Sequence, residues 1–150
     1  MKETISILLE TYNNSTTIER ALDSIFSQDY EQLELIVADR GSIDDTLAII
    51  QKYQQSYPNI SLHTIASEMN FIELNHFFVE RSQGEYLFWM DGRDFFLTAS
   101  SLSKVYQLLI DSDADMAFGP MVDFNPDRKA FAVWDDDIKR VAEINFINIH

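Results

Sequence analysis

Three short stretches of this 150-residue chain hold residues equipped for chemistry. "ETYNN" (10–14) carries a carboxylate, a hydroxyl, a phenol and two amides. "ADRGSIDDT" (38–46) carries Asp39, Arg40, Ser42, Asp44 and Asp45, and "MDGRDFF" (90–96) carries Asp91, Arg93 and Asp94. Asp91 and Asp94 share one short loop and are candidate ligands for a hard divalent cation, which prefers several carboxylate or water oxygens. Arg93 between them weakens that reading, and an internal Asp–Arg ion pair is the alternative. Arginine also offers a fixed charge and a planar fork suited to phosphate. Asp44 and Asp45 are read as acidic residues at a helix start rather than as ligands. His63 and His76 each lack the His or Cys company of a transition-metal site and are read as structural.

The elements around these stretches must bring them together. "TISILLE" (4–10) reads as a buried strand, followed by a helix over 15–28 with Ile18, Ala21, Leu22, Ile25 and Phe26 on one face. Thr16 and Glu19 fit a capping box at its start. "LELIVA" (33–38) is a second strand, and 44–57 a second helix with Ser42 or Asp44 as its cap. Strands are expected at 60–65, 85–90 and 115–124, and helices at 71–82 and 99–112, the last with Leu102, Val105, Tyr106 and Leu109 inward. The aromatic series Phe71, Phe77, Phe78, Phe88 and Trp89 reads most simply as core. After Pro126 the pattern weakens: "KAFAVW" (129–134) suggests a short strand, and the segment after it the start of a helix.

Strands alternating with helices, most of them apolar on both faces, predict a mainly parallel sheet covered on both sides. Right-handed crossovers make this a Rossmann-like three-layer α/β/α domain. In an open sheet of this kind ligands bind at the carboxyl ends of the strands. All three chemical stretches follow strands, so all three should line one edge.

Composition bounds the remaining options. The apolar fraction of 46% is enough for a real core, and the absence of cysteine excludes disulfides and thiolate metal sites. Eleven Lys+Arg against 25 Asp+Glu give a formal charge of −14, which repels phosphate backbones and argues against nucleic acid as a partner. The N-terminal apolar run is broken by Glu10, is too short to span a membrane and lacks a signal-peptide cleavage site. A cytoplasmic location is the default expectation. No glycine-rich loop of dinucleotide or ATP-hydrolase type is present.

At the strand ends the sequence resembles a family 2 glycosyltransferase of GT-A fold, over roughly residues 3–123. "SILLETYNN" matches the family's opening strand with Glu10 in the place of a proline, and "SIFSQDYEQLELIV" (24–37) matches the end of its first helix. "ADRGSIDDT" matches Val-Asp-Asp-Gly-Ser-x-Asp-x-Thr with Arg40 for the second aspartate. "GEYLFWMDGRD" (84–94) matches Gly-Glu-Tyr-Ile-x-Phe-Leu-Asp-x-Asp-Asp with Arg93 for the middle one. "EMNFIELNHFF" (68–78) keeps Asn70 but replaces small residues by bulky ones, and Asn75 and His76 have no settled register in the family's pattern.

The resemblance implies a nucleotide-sugar donor, a Mn or Mg ion on its diphosphate weakened by Arg93, and a hydroxyl acceptor. Thr11, Tyr12, Asp39, Arg40, Asn70, Asp91 and Arg93 become candidate donor-binding residues, and Asp91 and Asp94 the candidate metal ligands. Each keeps its plainer reading: Tyr12 as packing for the first helix, Asp39 as a loop brace. No catalytic base is identifiable, and Asp135–Asp137 are too ambiguous to nominate. Residues 1–124 are expected to form the donor-binding domain and 125–150 the start of an acceptor-side segment or tail, truncated or not. The leading function is sugar transfer from a nucleotide-sugar to a hydroxyl acceptor in polysaccharide or glycoconjugate synthesis. The alternative is a non-catalytic GT-A-like interaction or scaffolding domain, beside a partner protein or as a homodimer. A receiver-type binding module is a weaker third option, lacking a suitably placed lysine after a late strand.

Overall fold

The computed structural model describes residues 3–117, 122–125 and 130–133. Strands β1 (Ile5–Thr11), β2 (Leu33–Asp39), β3 (Ile60–Thr64) and β4 (Tyr86–Asp91) form one parallel sheet in the order β3-β2-β1-β4. Helices α1 (Ile18–Phe26), α2 (Thr46–Gln54) and α3 (Phe71–Val79) connect them. The chain steps one way from β1 to β3, then returns so that β4 lies on the far side of β1. Right-handed crossovers therefore put α1 and α2 on one face and α3 on the other. The fold is the expected Rossmann-like α/β/α arrangement, and Met1–Ser100 form one compact unit.

The central strands are apolar on both faces because both faces are covered. Ile7, Leu9, Leu35 and Val37 alternate with Leu8, Ile36 and Ala38, and none is more than 1% exposed. The second set packs with Ile65 and with Leu74 and Phe78 of α3. By alternation the first set faces α1 and α2, where Ile18, Ala21, Leu22, Ile25 and Ile50 are buried. Gly84 lets β4 enter beside β1. A Cβ there would stand 2.6 Å from the Thr4 carbonyl and 2.8 Å from the Ser6 amide nitrogen.

Four expectations need correction. The Thr16–Glu19 capping box does not form: Thr17 is the N-cap of α1 and makes no side-chain cap bond. Its hydroxyl instead donates to the Gly92 carbonyl at 2.9 Å. At α2 the N-cap is Asp45, also without a side-chain bond, while Asp44 accepts from the Thr46 amide and Ser42 is engaged elsewhere. Phe71 is 73% exposed as the first residue of α3, and Trp89, on the edge strand of the four, is 49% exposed with its indole N–H donated to Asn75. Of the aromatic series only Phe78 is fully buried. Finally, no strand occupies 115–117, and residues 118–121 of the expected strand lie outside the described residues. β5 (Val122–Asn125) pairs antiparallel with β6 (Ala130–Val133) in a separate two-stranded sheet, so the expected fifth strand does not extend the parallel one.

A second compact unit, Ser101–His150, contains α4 (Ser101–Ser112) and this hairpin. β6 is the short strand read in "KAFAVW". The helix expected after it, and Asp135–Asp137, lie outside the described residues.

Candidate functional site

The carboxyl ends of β1, β2 and β4 carry a row of polar residues fixed by strand register. Glu10 stands opposite Asp91, and Thr11 opposite Asp39. Because side chains alternate along a strand, the row divides between the two faces of the sheet. Thr11 and Asp39 belong to the face of α1 and α2. Glu10 and Asp91 belong to the face of α3, on which Leu8 also lies.

On the first face the carboxylates and amides lock two loops together. Asn14 Oδ1 accepts from the Thr11 hydroxyl at 2.8 Å and the Tyr12 amide at 3.0 Å, and the Asn14 amide donates to Thr46 Oγ1. Asn13, held at φ 51°, donates its amide to Ser42 and accepts from the Ile43 amide. Asp44 accepts from the Ser15 amide at 3.0 Å and from the Thr46 hydroxyl at 2.5 Å. The Thr46 hydroxyl, with Ser15 adding to it against a smaller desolvation effect, holds the Asp44 carboxyl well below the usual carboxylate range. Asp39 is fully buried: Oδ1 accepts from the Gly41 and Ser42 amides, and Oδ2 from the Ser42 hydroxyl. It braces its own loop. Tyr12 is 52% exposed, so its ring is available for stacking rather than spent as packing for α1. Gly92 closes the corner, since a Cβ there would meet Asn14 Oδ1 at 2.7 Å and Thr11 Oγ1 at 2.9 Å.

On the second face each arginine meets a carboxylate. Arg40 Nε donates to Glu10, and Arg40 Nη1 donates to the carbonyls of Ser67 and Met69 at 2.9 and 2.8 Å. The two residues that depart from the family pattern on β1 and after β2 thus bind each other. Arg93 grips Asp91 with two prongs, Nε to Oδ1 at 2.7 Å and Nη2 to Oδ2 at 3.1 Å. These bonds, and then the charge of Asp91, raise the Arg93 pKa further above its already high ordinary value. Asp94 Oδ2 accepts from the Asp91 amide at 3.1 Å. Asn70 caps α3: its Oδ1 accepts from the Ile72 and Glu73 amides while Glu73 reaches back to the Asn70 amide.

The eight candidate donor and metal residues, Thr11, Tyr12, Asp39, Arg40, Asn70, Asp91, Arg93 and Asp94, stand at the ends of β1, β2 and β4 or at the start of α3, but Asp39, Asn70 and Asp91 have their acceptor oxygens occupied. Arg20 and Asn14 escaped notice. Arg20 Nη2 lies 3.5 Å from the Arg93 carbonyl, and its guanidinium sits 4.2 Å above the Phe95 ring. A signal existed: a cation in the first turn of a helix opposes the helix dipole and needs another reason to be there.

A divalent ion would have to be held by Asp91 and Asp94, and these residues do not fit one. Both oxygens of Asp91 face the Arg93 fork, one oxygen of Asp94 holds a backbone amide, and a fixed positive charge stands between them. Among the described residues no group of three or more His, Asp or Glu is placed to hold a metal. His63 and His76 join no such group; His63 meets Phe77 edge-on at 5.4 Å.

The family model described as "Glycosyl transferase family 2" matches residues 6–140 of the chain. An uncharacterized glycosyltransferase of Haemophilus influenzae is 25% identical over 115 residues, 77% of this chain and 46% of that protein. The Escherichia coli UDP-Glc:alpha-D-GlcNAc-diphosphoundecaprenol beta-1,3-glucosyltransferase WfaP is 27% identical over 108 residues, 69% of this chain and 41% of that one. Among solved structures, the mannosyltransferase PcManGT from Pyrobaculum calidifontis in complex with GDP-Man and Mn2+ superposes with a TM-score of 0.67 at 22% identity. It covers 73% of this chain and 33% of that one, and shows the shared GT-A fold. The chain thus spans less than half the length of each of these proteins.

Proposed function

The chain belongs to glycosyl transferase family 2, and from that premise we propose that it is the donor-binding part of a sugar-transfer enzyme. A nucleotide-activated sugar lies across the ends of β1, β2 and β4. The acceptor hydroxyl attacks the anomeric carbon, the bond to the diphosphate breaks, and the diphosphate leaves with the electron pair. The reaction needs the departing charge stabilised and the acceptor proton removed by a base. Residues 1–124 serve donor binding, and 125–150 begin the acceptor side, where the base is to be sought. The acceptor is a hydroxyl of a polysaccharide or glycoconjugate, and the reaction is cytoplasmic. Among the described residues no helix is long and apolar enough to cross a membrane.

The observation that carries this reading is the interlocking of the β1–α1 and β2–α2 loops by Asn13, Asn14, Ser42 and Asp44. It builds a rigid floor at the strand ends with Tyr12 exposed above it, the place where α/β sheets take ligands. Two relatives point the same way by name, one using UDP-Glc and one bound to GDP-Man.

Titration calorimetry with UDP-, GDP- and CDP-sugars and the free nucleotides tests it. Saturable one-site binding of at least one donor is expected. A folded chain that binds none of them would instead support the non-catalytic interaction domain.

A further inference from the structure

We propose that Arg93, assisted by Arg20, takes the place of a divalent cation in this chain and binds the donor diphosphate directly. The proposal rests on the nucleotide-sugar reading above and concerns how that site handles charge.

A guanidinium carries five N–H donors. Asp91 takes the Nε–H and one Nη2–H of Arg93. Among the described residues, both hydrogens of Nη1 and the second of Nη2 have no partner, and one hydrogen of each nitrogen forms the end-on edge of the fork. That edge is accessible, because the Arg93 side chain is 72% exposed. Asp91 therefore orients the guanidinium without consuming it, and the Asp91 contact to the Arg93 amide at 2.9 Å fixes the loop beneath. The remaining edge has the spacing to donate to two phosphate oxygens.

The surroundings agree. Residues 3–117 carry six cationic side chains, Arg20, Arg40, Lys52, Arg81, Arg93 and Lys104, and three of them stand at this edge. Glu10 and Asp91 are each paired with an arginine there, Arg40 and Arg93, which offsets part of the acidity of the edge on a chain whose formal charge is −14. Half of the cationic side chains of residues 3–117 thus stand where a diphosphate would have to bind. A metal would have to pull Asp91 away from Arg93 and sit beside its charge, whereas a diphosphate needs neither change.

The test is calorimetric binding of ADP, CDP, GDP and UDP to the full chain, with EDTA and separately with manganese, for the unmodified protein, Arg93→Gln and Arg93→Lys. The expected result is that the tightest diphosphate binds within about twofold in EDTA and in manganese, and that Arg93→Gln weakens it about ten- to a hundredfold. Arg93→Lys should recover part of the loss, and Arg20→Gln should show a smaller one. The corresponding nucleoside should be indifferent to all three changes. Thermal melts confirm folding, which an exposed side chain does not threaten. Binding that requires manganese, or binding untouched by Arg93→Gln, overturns the proposal while leaving the nucleotide-sugar reading intact. Failure of every diphosphate and every nucleotide-sugar in both conditions overturns both.

Discussion

Glu10 and Arg40 each look anomalous alone and reasonable together. In the sequence they lie 30 positions apart, and nothing in a periodicity argument joins them; the parallel register of β1 and β2 does. Arg40 is 18% exposed and Glu10 36%, so the pair is only partly screened. A double-mutant cycle with Glu10→Gln and Arg40→Gln should give a coupling of about 1 kcal/mol in denaturant unfolding. Arg40→Gln alone should cost more than Glu10→Gln, because it also abandons the Ser67 and Met69 carbonyls. A cycle with no coupling would mean the pair does not persist in solution. The same anchoring bears on base choice. With Nε and Nη1 engaged, Arg40 can present only Nη2 donors, which suit the adjacent acceptors of guanine (O6, N7) or cytosine (N3, O2) and leave the uracil N3–H, flanked by its two carbonyls, without an acceptor. UDP should therefore bind about tenfold more weakly than GDP or CDP. Tight UDP binding that survives Arg40→Ala and is lost in Asp39→Ala would assign base reading to Asp39 instead of Arg40. His63 makes a separate prediction. Burial, then the charge of Arg81, lowers its pKa below the ordinary histidine value. The unfolded chain then binds more protons than the folded one just below about pH 6.5, so stability is complete above that pH and falls as pH drops toward the folded pKa. Unfolding midpoints from pH 7.5 to 5.5 should fall more for the unmodified protein than for His63→Leu; parallel slopes would remove His63 from the account.

At the scale of elements, the sheet was legible because both faces of β1 and β2 are covered, leaving unbroken apolar runs. Helix starts were not. Thr16 and Glu19 have the right spacing for a capping box, but the α1 terminus is held by Asn14 and Gly92, and tertiary bonds override a local motif. Phe71 and Trp89 were misread as core for a related reason. Aromatic character records what a residue can bury, not whether the element extends under it. On the α3 side of the sheet, Phe78 is the fully buried aromatic of the helix, in one cluster with Leu8, Ile36 and Ala38. Phe78→Ala should lower unfolding free energy by about 3–5 kcal/mol, with Phe71→Ala close to neutral. Equal losses would show that the first turn of α3 is covered in solution. Gly84→Ala tests the docking of β4 on β1. The added methyl meets the Thr4 carbonyl and the Ser6 amide of the backbone as well as the Ser6 hydroxyl, so a loss of about 1–3 kcal/mol or more is expected. An unchanged midpoint would mean that the entry to β4 shifts freely.

For the whole molecule, charge is the feature that the sequence states most plainly and local structure hides best. The chain carries −14, yet three of the six cationic side chains of residues 3–117, Arg20, Arg40 and Arg93, collect at its strand-end edge. Topology alone makes that concentration visible, since the three residues sit in separate segments. A chain with so large an excess of one sign repels itself over distances beyond contact. Such long-range repulsion disfavours the compact state and is screened on a length of about 10 Å at 0.1 M salt. Contact pairs such as Glu10–Arg40 are screened much less. Raising sodium chloride from about 10 to about 300 mM should therefore raise the melting temperature at pH 7 by a few degrees, with most of the gain complete near the concentration at which the Debye length falls under about 8 Å. An uncharged osmolyte at the same osmolality separates this from a general exclusion effect, because it should not reproduce the early saturation. At pH 5, closer to the isoelectric point of about 4.3, the salt gain should shrink as the net charge does. A melting temperature that falls with salt at pH 7 would show that short ion pairs, not the distributed acidic surface, dominate the electrostatics of the fold.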